Sequence, residues 1–234
     1  MTSSHIQPRL DQISELSRGI QLPLAALHPI HLQMIADRFI RAYQEIKLDH
    51  ASTIATGTEA EVSSLMQARL NSFIDSDIIW RQLVACVSRG TESLSFDGAH
   101  LEKRPDLSIY LTDRSRNFPL IAEAKIIDGP NGKTDNLYCK EGLQRFVVGE
   151  YGWGTGEAYM LAYVRDNTNF SDKVKPRLEQ DQGQTPSLYR TQTISHPTGS
   201  VKANTTHTRA FTYTHQTAPH HQPGPLDLWH IWLS

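Results

Sequence analysis

Two carboxylates and a lysine, Asp106, Glu123 and Lys125, stand close together in the stretch KRPDLSIYLTDRSRNFPLIAEAKII. Leu107, Ile109 and Leu111 alternate with Asp106, Ser108 and Tyr110, which predicts a strand with Asp106 on the face opposite the leucines. The turn-like run TDRSRNFP predicts a hairpin to a second strand, PLIAEAKII. In that strand Glu123 and Lys125 are two apart and share a face, while Leu120, Ala122, Ala124 and Ile126 take the other. Charges on an otherwise apolar patch are costly to bury unless they pair or hold a metal. Carboxylates with open positions suit Mg²⁺, which keeps waters and takes phosphate oxygens. A lysine beside a metal-bound water can lower its pKa or orient it for in-line attack on a phosphodiester. The plain alternative is an exposed Glu–Lys pair on the solvated face of an edge strand. The apolar run around the pair argues instead for a central strand.

This constellation resembles the PD-(D/E)XK, or restriction-endonuclease-like, superfamily of phosphodiesterases. Pro105-Asp106 stands for the PD element and Glu123-Ala124-Lys125 for the (D/E)XK element, with a hairpin-sized gap between them. The resemblance implies that Asp106, Glu123 and the carbonyl of Ala124 bind Mg²⁺ (or Mn²⁺), and that Lys125 assists the attacking water. It also implies a glutamate on a helix ahead of the sheet. Glu59 fits best, in line with Val62, Met66 and Leu70, and Glu61 stays open as the alternative. A glutamine on the helix after the second strand is a further family feature, and Gln144 holds that place. The string EGLQRFVVGEYGWG followed by YMLAYV is similar to a pattern in small prokaryotic restriction-like or defence-associated proteins. The implied fold class is α/β, a restriction-endonuclease-like mixed β-sheet flanked by helices, with a helical N-terminal extension. The implied activity is a metal-dependent nuclease, with DNA as substrate, in prokaryotic restriction or anti-phage defence. No DNA-reading module is evident, so a homo-oligomer or a partner protein of a defence system is expected to supply specificity. The rival reading keeps the fold without catalysis, as a nucleic-acid-binding or assembly subunit.

Other elements must position these residues. Ile6, Leu10, Ile13 and Leu16 recur at helical spacing with Gly19 as a stop. Leu32, Ile35, Phe39, Tyr43 and Ile46 predict a longer amphipathic helix with Pro29 in its first turn. A third helix should follow Thr58 as its cap, with Val62, Met66, Leu70 and Phe73 inward. Short strand-like runs then dominate to about residue 165, with one helical piece, KEGLQRFVVGEY. The expected organisation is a helical region, 1–55, packed on a nuclease-like domain, 56–234. Within the latter, about 166–225 reads as long polar loops around a strand near 208–214, and LDLWHIWL as a strand returning to the sheet.

Composition narrows the field less. A net charge of -2 argues against a simple basic coat protein, but a local basic groove is enough for an enzyme on nucleic acid. Cys86 and Cys139 are far apart in sequence, with no disulfide framework and no zinc spacing. MTSSHIQPRL lacks a signal-peptide core, and no apolar stretch approaches bilayer length, so the expectation is cytoplasmic with no membrane. The eleven histidines form no HExxH or paired Cys/His pattern, which disfavours a zinc site. His220-His221 are expected in a solvated loop, and Trp229-His230-Ile231-Trp232 in the core or an oligomer contact. His207-Thr208-Arg209 is the better candidate for a nucleic-acid contact. Lys140 and Arg145 are candidates for a phosphate contact, with solvated helix positions the expectation, and Lys133 lies in a flexible Gly-containing loop as a weaker candidate for approaching substrate.

Overall fold

A computed structural model of the protein describes residues 10–99, 103–213 and 222–234. Helices α1 (Leu10–Leu16), α2 (Pro29–Asp49), α3 (Ala51–Thr56), α4 (Glu59–Ser76) and α5 (Ile78–Leu83) precede strands β1 (Val84–Ser88), β2 (Leu107–Leu111) and β3 (Leu120–Ile127). A helical segment follows, made of α6 (Asp135–Tyr138), a π turn (Cys139–Leu143) and α7 (Gln144–Val147). The chain closes through β4 (Glu157–Val164), α8 (Phe170–Gln182), β5 (Thr191–Ser195), β6 (Lys202–His207) and β7 (Leu226–Leu233).

The strands form one mixed sheet in the order β1-β2-β3-β4-β7-β6-β5, flanked by helices. The two outer groups, β1-β2-β3 and β7-β6-β5, are antiparallel, while β3, β4 and β7 run parallel at the centre. Parallel strands buried on both faces read as nearly continuous apolar runs, which explains YMLAYV.

Each sheet face has its own core. Leu107, Ile109, Ala122, Ala124 and Ile126 pack with α2 and α4 on one side. Ile121 and Ile127 pack with the 135–147 helical segment and α8 on the other. The strand phase read from the sequence therefore holds. Helix α2 belongs to the first of these cores: Phe39 meets Tyr159 edge-on at 5.3 Å, and Tyr43 stacks on Tyr163 at 5.9 Å. His28 caps α2, Pro29 sits in its first turn, and Gly19 ends the turn after α1 with φ of 69°. Ile6 lies outside the described residues.

The segment 166–225 departs from the expected loops. It holds helix α8, with Phe170, Val174 and Leu178 as a single buried stripe, and strands β5 and β6. The strand lies at Lys202–His207, and 208–213 carries none. These elements are polar because their outer sides face water, so few apolar residues mark their period. In β6 only alternate positions, Ala203, Thr205 and His207, are buried. His215, His220 and His221 lie outside the described residues. Among the described residues no helix is long and apolar enough to cross a membrane. Cys86 and Cys139 are both unbridged.

Buried polar groups on β6 and β7 are joined in one chain. The Tyr138 hydroxyl lies 2.8 Å from His230 Nδ1, and His230 Nε2 lies 2.8 Å from Thr205 Oγ1. Thr205 Oγ1 is also 2.6 Å from His207 Nε2, whose Nδ1 lies 2.9 Å from the carbonyl of Tyr189. Burial lowers the pKa of His207 to about 4, and burial likewise holds that of His230 well below the usual value. One hydroxyl thus satisfies two neutral imidazoles. Thr205→Val should cost roughly 2 kcal/mol or more, because it strands both ring nitrogens. The exposed Thr193→Val should change stability by no more than about 0.5 kcal/mol. Urea unfolding of the two variants checks this, and equal midpoints would contradict it.

Candidate active site

The site is built on an unpaired stretch of strand. β2 pairs with β3 only from Leu120 to Ala122, whereas β4 pairs with it from Ala122 to Ile127. Beyond Ala122, β3 is therefore open on the β2 side. Its backbone N–H groups there need acceptors, since unpaired buried amides are costly. Two carboxylates supply them. The N–H of Ala124 donates to Asp106 Oδ2 at 2.9 Å, and that of Ile126 to Glu59 Oε2 at 3.1 Å.

Asp106 comes from the residue before β2, where the chain leaves the ladder. Glu59 comes from the first turn of α4, where a negative charge also suits the helix dipole. The start of α4 is fixed from three directions. Thr58 and Glu61 form a reciprocal capping box, with the Thr58 N–H donating to Glu61 Oε2 at 2.7 Å. The Arg165 guanidinium donates to the carbonyls of Ile54 and Gly57 at 2.8 and 2.6 Å. A Cβ at Gly57 would lie 2.6 Å from the carbonyl oxygen of Thr53, so only glycine fits that turn. Glu61 is consumed by the cap, which leaves Glu59 as the helix carboxylate of the cluster.

Lys125 ties the group together. Its ammonium donates to the carbonyl of Ala124 at 2.7 Å, Glu123 Oε1 at 2.9 Å and Glu59 Oε1 at 3.1 Å, with Asp106 Oδ2 at 3.9 Å. Burial alone would lower its pKa, but Glu123, Glu59 and Asp106 together hold it above the ordinary lysine value. Lys125 is thus a charged donor. Glu123 is only 2 % exposed, and burial, aided by the charge of Asp106, raises its pKa to about 7. Burial also raises that of Asp106, against the pull of Lys125. Glu123 Oε1 accepts from both Lys125 and Arg145, while its buried Oε2 has no hydrogen-bond partner among the described residues.

The helical segment behind β3 brings in Arg145, which the sequence favours for a solvated helix position. Arg145 donates to Glu123 Oε1 at 3.2 Å and to the Tyr151 hydroxyl at 2.9 Å. Among the described residues no hydrogen bond or ion pair joins the Gln144 side chain to the cluster. The π turn at Cys139–Leu143 explains the exchange. Its wider turn delays the helix phase by about one residue, so Arg145 arrives where an unbroken helix would present its predecessor. The residue types gave no warning of a π turn. The segment also ends at Val147, not at Tyr151, and Val148 and Tyr151 lie beyond it.

The other polar candidates are elsewhere. Lys133 and Lys140 are exposed and make no described contact with the carboxylates. His207 and Arg209 are buried, which removes them as a nucleic-acid contact. Arg209 instead donates to the carbonyls of Phe146, Gly152 and Thr155 at 2.8, 3.1 and 2.6 Å, closing the loop before β4. Ile231 and Trp232 lie in the two cores and His230 in the buried polar chain.

Among the described residues no group of three or more His, Cys, Asp and Glu side chains is disposed to hold a metal ion. Mg²⁺ asks for less, commonly one or two carboxylates with waters completing its shell. The unpartnered Oε2 of Glu123 and the Ala124 carbonyl on the open edge fit that requirement.

The charge state of Glu123 bears on stability. Its folded pKa lies above the unfolded value of 4.5, so its contribution is fully present below pH 4.5 and is lost as pH rises through about 7. Glu123→Gln cannot ionise and lacks that loss. In chelator-treated buffer, the stability of this variant relative to wild type should climb between pH 4.5 and 7 by on the order of 3 kcal/mol, then level off. Chemical unfolding across this range checks it, and parallel curves would contradict it.

No protein-family model, curated protein or solved structure matches the chain, so the site is interpreted from its own residues.

Proposed function

We propose that the protein is a Mg²⁺- or Mn²⁺-dependent phosphodiesterase that hydrolyses nucleic acid, with DNA as the substrate implied by the superfamily resemblance. The observation that carries this is the buried Glu123, one oxygen held by Lys125 and Arg145 and the other without a partner, on an open strand edge. A group so placed is strained without a ligand, and strained, pKa-shifted carboxylates cluster at functional sites. The arrangement also supports reading the sheet as restriction-endonuclease-like. A helix carrying Glu59, a hairpin carrying Asp106 and Glu123-Ala124-Lys125, a helical segment and a parallel strand follow in that order.

Glu123 and the Ala124 carbonyl would hold the ion, with Asp106 and Glu59 as the further ligands that the resemblance implies, released from the amides and the lysine they now accept from. When bound, it supplies a water of lowered pKa and neutralises charge on a phosphoryl oxygen. Lys125, being protonated, would orient the attacking water and stabilise the negative charge on the phosphoryl oxygens of the pentacoordinate transition state. Arg145 stands ready to exchange its bond to Glu123 for one to a phosphate oxygen, which a guanidinium suits well. The setting that goes with this reading is prokaryotic restriction or anti-phage defence in the cytoplasm, with a second copy or a partner protein conferring specificity.

One observation favours a second reading, an inactive nucleic-acid-binding or assembly subunit. The Lys125 ammonium lies within 4 Å of all three carboxylates, at 3.1 Å from Glu59, 2.9 Å from Glu123 and 3.9 Å from Asp106, as a structural ion cluster would have it. A nuclease assay with Mg²⁺ or Mn²⁺ separates the two. Wild type should cut, and Glu123→Ala and Lys125→Ala should each slow cleavage by at least about 100-fold. Inert wild type with either metal, or variants that cut as fast as wild type, would defeat the catalytic reading.

A further inference from the structure

A cleft of about 240 Å³ opens on the same sheet face as Glu123. Its floor is Ser108 and Ile121, partners across the β2–β3 hairpin, with Tyr110 next along β2. Ile121 and Glu123 are two apart on one face of β3, so their backbones are about 7 Å apart along the strand. The wall is Phe118 and Trp153, ring edge to ring face at 5.0 Å. At the rim stands Arg116, an exposed cation with no ion pair among the described residues.

The walls are held rigidly. The Trp153 indole N–H donates to the carbonyl of Leu94 at 2.6 Å, and the Tyr213 hydroxyl donates to the carbonyl of Trp153 at 2.6 Å. Arg209 grips the carbonyls of Gly152 and Thr155 on either side. A Cβ on Gly154 would run into the Phe118 ring, so glycine there lets the aromatic cover the loop. The cleft wall and the candidate site are neighbours along the chain, because Tyr151, which receives a hydrogen bond from Arg145, is followed by Gly152 at the cleft wall.

We infer that this cleft binds a single nucleobase of the strand whose phosphate lies at Glu123 and Arg145, an inference that rests on the phosphodiesterase reading. A planar ligand with apolar faces and polar edges suits a narrow cleft whose wall is the margin of the packed Phe118 and Trp153 rings and whose floor carries Ser108 and Tyr110. The volume, equal to roughly eight waters of liquid, matches one base and is too small for a base pair. The base must therefore be unpaired, either in a single strand or extruded from a duplex. The substrate is then a strand with an accessible unpaired nucleotide, and an intact duplex carries the extra cost of opening.

The test uses the full chain with Ca²⁺ in place of Mg²⁺ and fluorescence anisotropy on labelled single-stranded oligonucleotides. One abasic site is walked through successive positions. At one position it should weaken binding about tenfold, the scale of one base–aromatic stack, with little effect elsewhere. Thr91→Trp, at an exposed rim position, should fill the mouth and abolish that position dependence while oligonucleotides still bind. Binding with every abasic position equivalent, or dependence that survives Thr91→Trp, overturns the base site alone. If no oligonucleotide binds and none is cut with Mg²⁺, both the base site and the nuclease reading fall.

Discussion

Between Ala122 and Ile127, strand β3 is hydrogen-bonded to β4 on one side and abandoned by β2 on the other. Two amide N–H groups are left over, and they are capped by carboxylates delivered from elsewhere in the chain, Asp106 to Ala124 and Glu59 to Ile126. That requirement organises much of the molecule. It fixes where α4 begins, through its capping box and the grip of Arg165 on the preceding turn. It also places acidic groups beside Glu123 and Lys125, whose side chains are set by strand phase alone.

The outcome is a cluster of three acids and two bases around a largely buried strand. Lys125 and Arg145 neutralise part of the charge, but burial and the neighbouring acid still leave Glu123 with a raised pKa and one oxygen without a partner. A fold selected only for stability would fill that place with an apolar side chain or complete the hydrogen bonding. On the proposed reading, the incomplete group is retained because a ligand completes it. The cleft walled by Phe118 and Trp153 lies on the same sheet face.

The chemistry-bearing strands were legible in the sequence because they lie at the centre of the sheet. There the strands are buried on both faces, and charged residues two apart within an apolar run set the strand phase, which places Glu123 and Lys125 on one face. Thr58 likewise marked the start of α4, and its capping box with Glu61 decides between two glutamates that periodicity left open. The place of Arg145 beside Glu123 was not legible, since a π turn shifts helix phase without a residue signature. The polar C-terminal part hid helix α8 and strands β5 and β6 for another reason. Edge elements bury one narrow stripe, and in β6 that stripe includes Thr205 and His207, polar residues that only a hydrogen-bonded chain makes acceptable inside. The same effect made His207 and Arg209 look like surface contacts when both are internal fasteners.

The claim on which the rest depends is that the open edge of β3 accepts a divalent cation through Glu123. Mn²⁺ binding followed by electron paramagnetic resonance tests this directly on wild type, Glu123→Gln and Glu61→Gln. The account predicts one saturable ion in wild type, retained in Glu61→Gln, where only a helix cap is altered, and lost or weakened at least about tenfold in Glu123→Gln. No saturable ion in wild type, or one bound as tightly after Glu123→Gln, would contradict it.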